Sequence, residues 1–195
     1  FIACVGCGRC SIACLPDIAS PCDVMNELAH FGGSGKTDKY FLRHETHSSK
    51  KGIIHIPRSA TIKNVKKLTD TETFLELEMD DKESLGHEPG QFVEISLFGI
   101  GEAPISISSA PSDSPVFEIV VRKVGSVTGK LSEMKPGEKV GIRGPLGRGF
   151  DIKKLEGKHL LFVSGGLGIV PMRSLIDYCL DKKNRDKFKY IKILY

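Results

Sequence analysis

Cys4, Cys7, Cys10 and Cys14 stand in the spacing C-x2-C-x2-C-x3-C. Thiolates bind soft metal centres, and two-residue gaps let one tight loop wrap three corners of a [4Fe–4S] cube. Gly6 and Gly8 relieve crowding in that loop. Zinc also takes four thiolates, but its sites usually come as two separated C-x-x-C pairs, so the run reads as iron–sulfur. Two further stretches carry small hydroxyls and glycines where a ligand could approach backbone. One is Ala103-Pro104-Ile105-Ser106-Ile107-Ser108, in which Ile105 and Ile107 face one side of a strand and Ser106 and Ser108 the other. The second is Arg122-Lys123-Val124-Gly125-Ser126-Val127-Thr128-Gly129, where a helix starting near Val127 would aim N–H groups at an anion. A third motif, Gly165-Gly166-Leu167-Gly168-Ile169-Val170-Pro171, follows an apolar run directly.

These residues need particular elements to hold them. Thr73 to Met79 alternates apolar and polar, and Gln91 to Leu97 and Val116 to Val121 also read as strands. With Ile53 to Leu68, the stretch after Pro104 and Lys139 to Arg143, about six short strands are expected between residues 53 and 150. Gly and Pro mark the turns between them, which argues a small antiparallel barrel. The chain then changes character. Lys158 to Ser164 reads as a buried strand, Met172 to Leu180 as a helix with Met172, Leu175, Ile176 and Cys179 on one face, and Tyr190 to Leu194 as a second strand. A strand, glycine-rich turn, helix and strand make a parallel crossover, with the ligand edge at the first strand's carboxyl end. Cys179 reads as a core residue.

The expected organisation is β plus α/β. Residues 1–31 form a cluster segment and 32–52 a polar, basic linker. Residues 53–150 form the barrel and 151–195 the first part of a parallel α/β nucleotide-binding domain. Gly-Ser-Gly-Lys-Thr at 33–37 lacks the first glycine and the preceding strand of a phosphate-binding loop, and His44 and His47 read as linker residues. The sequence has 195 residues, 40% hydrophobic and 27% charged, with a net charge of +4 and both signs interspersed, which describes a folded domain. No aromatic-and-basic cluster suggests nucleic acid, and no apolar run has the length of a membrane span. Five of six cysteines lie within the first 22 residues, too tightly packed for a disulfide framework, so a reducing, cytoplasmic setting is expected. The chain begins at Phe1 without a methionine and stops at the end of an apolar strand, which reads as a cut at each end.

The hydroxyl strand, the Gly125–Thr128 element, Gly90-Gln91-Phe92, Gly144 to Phe150 and the Gly165–Pro171 turn occur in an order that resembles the ferredoxin–NADP reductase superfamily. The resemblance is to the branch with sulfhydrogenase gamma, anaerobic sulfite reductase B and dihydroorotate dehydrogenase electron-transfer subunits. It runs from residue 53 to 195, and the cysteine run resembles a ferredoxin-like module. The resemblance implies FAD held by residues 103–108 and by Arg122 and Gly125–Thr128, and NAD(P)H at Gly165, Gly166, Gly168, Ile169 and Pro171. The family's Arg-x-Tyr-Ser is Ala103-Pro104-Ile105-Ser106 here, so Arg122 or Lys123 would supply the missing charge and Ile105 would pack where a tyrosine stacks. It further implies an electron-transfer subunit that passes electrons between NAD(P)H, FAD and [4Fe–4S] clusters to a partner redox subunit of a multi-subunit complex. An alternative is a relay or structural subunit without nicotinamide chemistry. In two-cluster ferredoxins the fourth cysteine of such a run serves the other cluster. Cys14 is therefore expected to point to a second cluster, with Cys14 or Cys22 closing a single cube as the other possibility.

Overall fold

The computed structural model describes residues 56–195. The expected cluster segment and linker, with Cys4, Cys7, Cys10, Cys14 and Cys22, lie outside the described residues.

Six strands form one antiparallel sheet: β1 (Arg58–Lys67), β2 (Glu72–Met79), β3 (Phe92–Leu97), β4 (Gly101–Ser106), β5 (Val116–Arg122) and β6 (Lys139–Leu146). Their order is β4-β3-β6-β1-β2-β5. The chain just beyond β4 meets β5 through a bridge between Ile107 and Ile119, and Ser108 N–H donates to the Glu118 carbonyl at 2.8 Å. That contact joins the two edges of the sheet and makes it a barrel, which removes exposed ladder groups. Alternation does the sorting: Thr73, Leu75, Leu77 and Met79 of β2 and Val93, Ile95 and Leu97 of β3 point inward. They pack with Ile62, Phe117, Ile142 and Leu131 in one core.

Between β5 and β6 the chain makes a short helix, α1 (Ser126–Leu131). Thr128 Oγ1 accepts from the N–H groups of Val124 and Gly125, both at 3.1 Å, and so fixes the bend that enters the helix. Val127 and Leu131 bury its inner face in the barrel core.

After β6 the chain turns through Gly147 and Phe150 into a second lobe. It contains α2 (Ile152–Leu155), β7 (Leu160–Val163), a 3-10 turn at Gly166–Gly168, α3 (Ile169–Leu180) and β8 (Ile191–Leu194). β7 and β8 pair in parallel, Leu160 opposite Ile191 and Val163 opposite Leu194, as the crossover pattern requires. Leu160, Phe162, Leu175, Ile176, Cys179 and Phe188 make its core. Burial raises the Cys179 thiol to about 11, so it behaves as a small apolar side chain.

The junction is tied at several points. Gly90 has φ +92°, and a methyl there would lie 2.6 Å from the Phe150 ring, so glycine is what allows Phe150 to lie across it. Phe150 N–H donates to the Pro89 carbonyl at 2.8 Å, and Gln91 Nε2 donates to the Gly147 carbonyl at 2.8 Å. From the other side, Ser174 of α3 donates to the Ser109 carbonyl at 2.7 Å, and Arg173 pairs with Glu118 of β5 at 2.7 Å.

Candidate functional site

The strand at residue 103 and the glycine bend at 125 are distant in sequence, and the fold brings them together. Ala103 and Glu102 of β4 face Val124, Gly125, Ser126, Val127 and Thr128 across a cleft of about 240 Å³. Gly125 has φ −153°, ordinary extended backbone, and a methyl added there would meet nothing within 4 Å. The first N–H groups of a helix have no partner within it. In α1 they belong to Ser126, Val127 and Thr128, which line the cleft, while the Thr128 hydroxyl is committed to its own bend. Past Glu102 a second hollow of about 550 Å³ opens under the tip of the β3–β4 hairpin, lined by Pro57, Leu97, Phe98, Ile100 and Gly141. Glu102 lines both. It accepts from Arg143 at 2.9 Å and from Ser96, and these bonds hold its carboxyl below the usual range.

The far end of the hydroxyl strand runs toward the second lobe. Ile105 and Ile107 sit in the barrel core, as alternation requires. Ser106 and Ser108 point away from that core but are also buried, at 6% and 0% exposure, where an open row of hydroxyls was expected. The adjoining Ser109 carbonyl lies at the lobe junction, where it receives Ser174 at 2.7 Å and faces His87 Nε2 at 3.1 Å. Among the described residues the Ser108 hydroxyl has no hydrogen-bond partner. A buried, unsatisfied hydroxyl costs about 1–3 kcal/mol, so this group has bonding capacity to offer. Pro104 lies half-buried beside Ala103, opposite Glu94 of β3.

In the second lobe Gly165, Gly166 and Gly168 are exposed at the carboxyl end of β7, with Ile169 and Pro171 opening α3. Methyls added at Gly165 or Gly168 would meet nothing within 4 Å, and Gly166 has φ +52°. Arg122 projects from the end of β5 towards this turn. Its Nε pairs with Glu72 at 2.5 Å, and its Nη2 lies 4.0 Å from where a methyl on Gly166 would sit. Lys123, one residue on, turns the other way, to Glu133 at 3.1 Å and to the Gly129 side of α1.

Four contributors carried no signal of their own in the sequence. Glu102, His87, Arg173 and Ser174 act through contacts made only on folding. Gln91 stood in a quoted motif, and its role is to tie the start of β3 to the Gly147 loop. Among the described residues no group of three or more His, Cys, Asp or Glu is disposed to hold a metal ion. Nor is any helix there long and apolar enough to cross a membrane.

Comparison with known proteins agrees with this architecture. Residues 59–150 match the family described as the oxidoreductase FAD-binding domain. Sulfhydrogenase 1 subunit gamma of Pyrococcus furiosus is 40% identical over 131 residues, 66% of this chain and 44% of that one. A probable dihydroorotate dehydrogenase B (NAD(+)), electron transfer subunit, of Thermococcus kodakarensis is 40% identical over 113 residues, 58% of this chain and 42% of that one. The matches thus span less than half the length of these relatives. Among solved structures, the NADH-dependent reduced ferredoxin-NADP oxidoreductase described for flavin-based electron bifurcation superposes with a TM-score of 0.58 at 26% identity, over 68% of this chain and 46% of that one. Residues 59–150 thus match an oxidoreductase FAD-binding domain, and with the lobe that follows their architecture is similar to that of the ferredoxin-NADP oxidoreductase.

Proposed function

We propose that the chain is part of an electron-transfer flavoprotein subunit that takes reducing equivalents from NAD(P)H and delivers them, by way of [4Fe–4S] clusters, to a partner redox subunit. The observation that carries this reading is the cleft between Ala103 and Gly125–Thr128 within a matched FAD-binding domain. Its dimensions suit a diphosphate, with open backbone at Gly125 and helix N–H donors on one wall. The hollow beyond Glu102 leaves room for the nucleotide half of a dinucleotide, which favours FAD over FMN. FAD, when bound, supplies hydride acceptance and the release of electrons one at a time. The protein's part is to bind, orient and exclude water. Residues 103–108 with Gly125, Ser126, Val127 and Thr128 make the flavin side. Ser106 and Ser108 stand at the ring end, where the unpartnered Ser108 hydroxyl is a donor with capacity left.

Gly165, Gly166, Gly168, Ile169 and Pro171 make the pyridine-nucleotide side, on the same principle of open backbone before a helix. The bonds from α3 to Ser109 and Glu118 hold this side at a fixed place against the flavin strand. Cys4, Cys7, Cys10 and Cys14 are the cluster ligands, in a reducing cytoplasmic setting. The relatives' names, a sulfhydrogenase subunit and an electron transfer subunit, support a role inside a larger redox complex. Gly168→Val tests the division of labour. The added side chain has space in the fold, so the variant should keep its flavin and lose reduction by NADH or NADPH. Unchanged reduction rates would make the turn purely structural.

A further inference from the structure

We infer that Arg173 is a positioning residue for the proposed transfer from pyridine nucleotide to flavin: it neutralises carboxylates on both lobes that would otherwise push apart, and so keeps the Gly165–Pro171 turn seated against the flavin strand. The inference rests on the proposed roles of that turn and of residues 103–108. In the transfer a hydride, one proton with two electrons, leaves the reduced nicotinamide and is taken up by the oxidised flavin. Reacting atoms must come within about 3–3.5 Å, so the seating of one lobe on the other sets the rate. Arg173 follows Pro171 closely on α3, so it moves with the turn. Its Nη2 lies 2.7 Å from Glu118 Oε2 of β5, on the barrel. Glu118 in turn moves with the flavin strand. Its carbonyl accepts from Ser108 N–H at 2.8 Å, and its own N–H donates to Ser109 Oγ at 3.0 Å.

The charges at this junction do not balance without Arg173. Glu118 stands directly opposite Glu76 in the β2–β5 register, a like-charge pair, and Glu76 makes no ion pair among the described residues. Glu118 Oε2 is itself buried and without a hydrogen bond, so the Arg173 charge is what offsets it. Asp177, one turn along α3, adds a further carboxylate, 3.1 Å from Arg173 Nε. Burial is the largest influence on Asp177 and raises its pKa, Arg173 acts against the rise, and the Glu118 charge adds to it. Glu118 and Asp177 therefore repel across the lobe boundary. The planar guanidinium between them serves both, Nη2 to one and Nε to the other. Taking the cation away would do more than break a tie. It would leave the repulsion in place and turn a clamp into a wedge. Ser174 would then be left to hold the start of α3, through its 2.7 Å bond to the Ser109 carbonyl.

The test is anaerobic single-turnover reduction of the intact, flavin-loaded protein by saturating NADH or NADPH, whichever reduces wild type. Flavin content, dinucleotide affinity and amide exchange over α3, residues 169–180, are measured on the same samples. Arg173→Met, similar in reach and uncharged, should keep its flavin and its dinucleotide affinity and exchange faster over α3. Its flavin should be reduced roughly ten- to a hundredfold more slowly, the effect of a displacement of about 1 Å. Adding Glu118→Gln removes the repulsion too, so the double variant should recover most of the lost rate, and Glu118→Gln alone should lose less than Arg173→Met. A residue that served only packing would not be rescued, so a double variant as slow as Arg173→Met overturns the inference. An unchanged rate in Arg173→Met overturns it as well. So does loss of flavin or of dinucleotide affinity in step with the rate, which would make Arg173 a ligand contact. If Arg173→Met does not fold, Arg173→Lys replaces it. One ammonium shared by two carboxylates should give an intermediate rate that Asp177→Asn raises, and no rise overturns the inference. Wild-type flavin that neither nucleotide reduces would contradict the nucleotide role of the turn, and the inference with it.

Discussion

His87 shows how one side chain couples folding to pH at the junction of the two lobes. It is 7% exposed, and its Nε2 lies 3.1 Å from the Ser109 carbonyl that also receives Ser174. Burial is the larger influence and lowers its pKa from 6.5, with the carbonyl acting the other way. A histidine whose folded pKa is depressed holds fewer protons than in the unfolded chain as pH falls below 6.5. The folded state therefore loses stability in that window, with a slope that approaches about 1.4 kcal/mol per pH unit for one proton. Above 6.5 both states are neutral and the contribution is flat. Chemical denaturation of wild type and His87→Gln between pH 7.5 and 5 should show curves that run parallel at the top and diverge below about 6.5. Parallel curves throughout would mean that His87 becomes charged without cost.

Elements carry the site, and here the sequence was legible where periodicity is strong. β2 and β3 alternate in burial along their whole length, because one face of each packs on a single core, and the sequence follows that pattern except at Thr73, Phe74 and Phe92. The strand–turn–helix–strand order after residue 158 gave the parallel β7–β8 pair directly. Boundaries were less legible. α1 starts at Ser126, one residue before the expected Val127, and ends at Leu131, while Met134 is buried beyond its end. Ser106 and Ser108 were legible as facing away from the barrel core. Their burial was not, because burial on that face is set by tertiary packing that no local pattern encodes. The divergence of Arg122 and Lys123 was readable only once β5 had a register with β2. At α1 the structure makes a clean prediction. Gly125 has extended backbone and open space around a would-be side chain, so Gly125→Val should fold with near-native stability. It should nevertheless purify with several-fold less FAD, because the added methyls enter the cleft that faces Ala103. Stoichiometric FAD in the variant would place the diphosphate elsewhere.

At the scale of the whole molecule, the described residues form a barrel and an α/β lobe joined by backbone bonds at Pro89 and side-chain bonds at Gly147, Ser109 and Glu118. The cysteine run supplies the third component, and its ligands are proposed from spacing alone. On the proposed reading, one protein holds FAD, accepts electrons from a pyridine nucleotide and passes them to iron–sulfur centres. The most direct measurement is the visible spectrum of the intact, anaerobically purified protein before and after NADH or NADPH, with iron and sulfide analysis on the same sample. The account predicts flavin bands over a broad brown absorbance, bleaching of both on addition of one of the two nucleotides, and iron and sulfide in equal amounts. A colourless protein, or one whose flavin stays oxidised with either nucleotide, would contradict it.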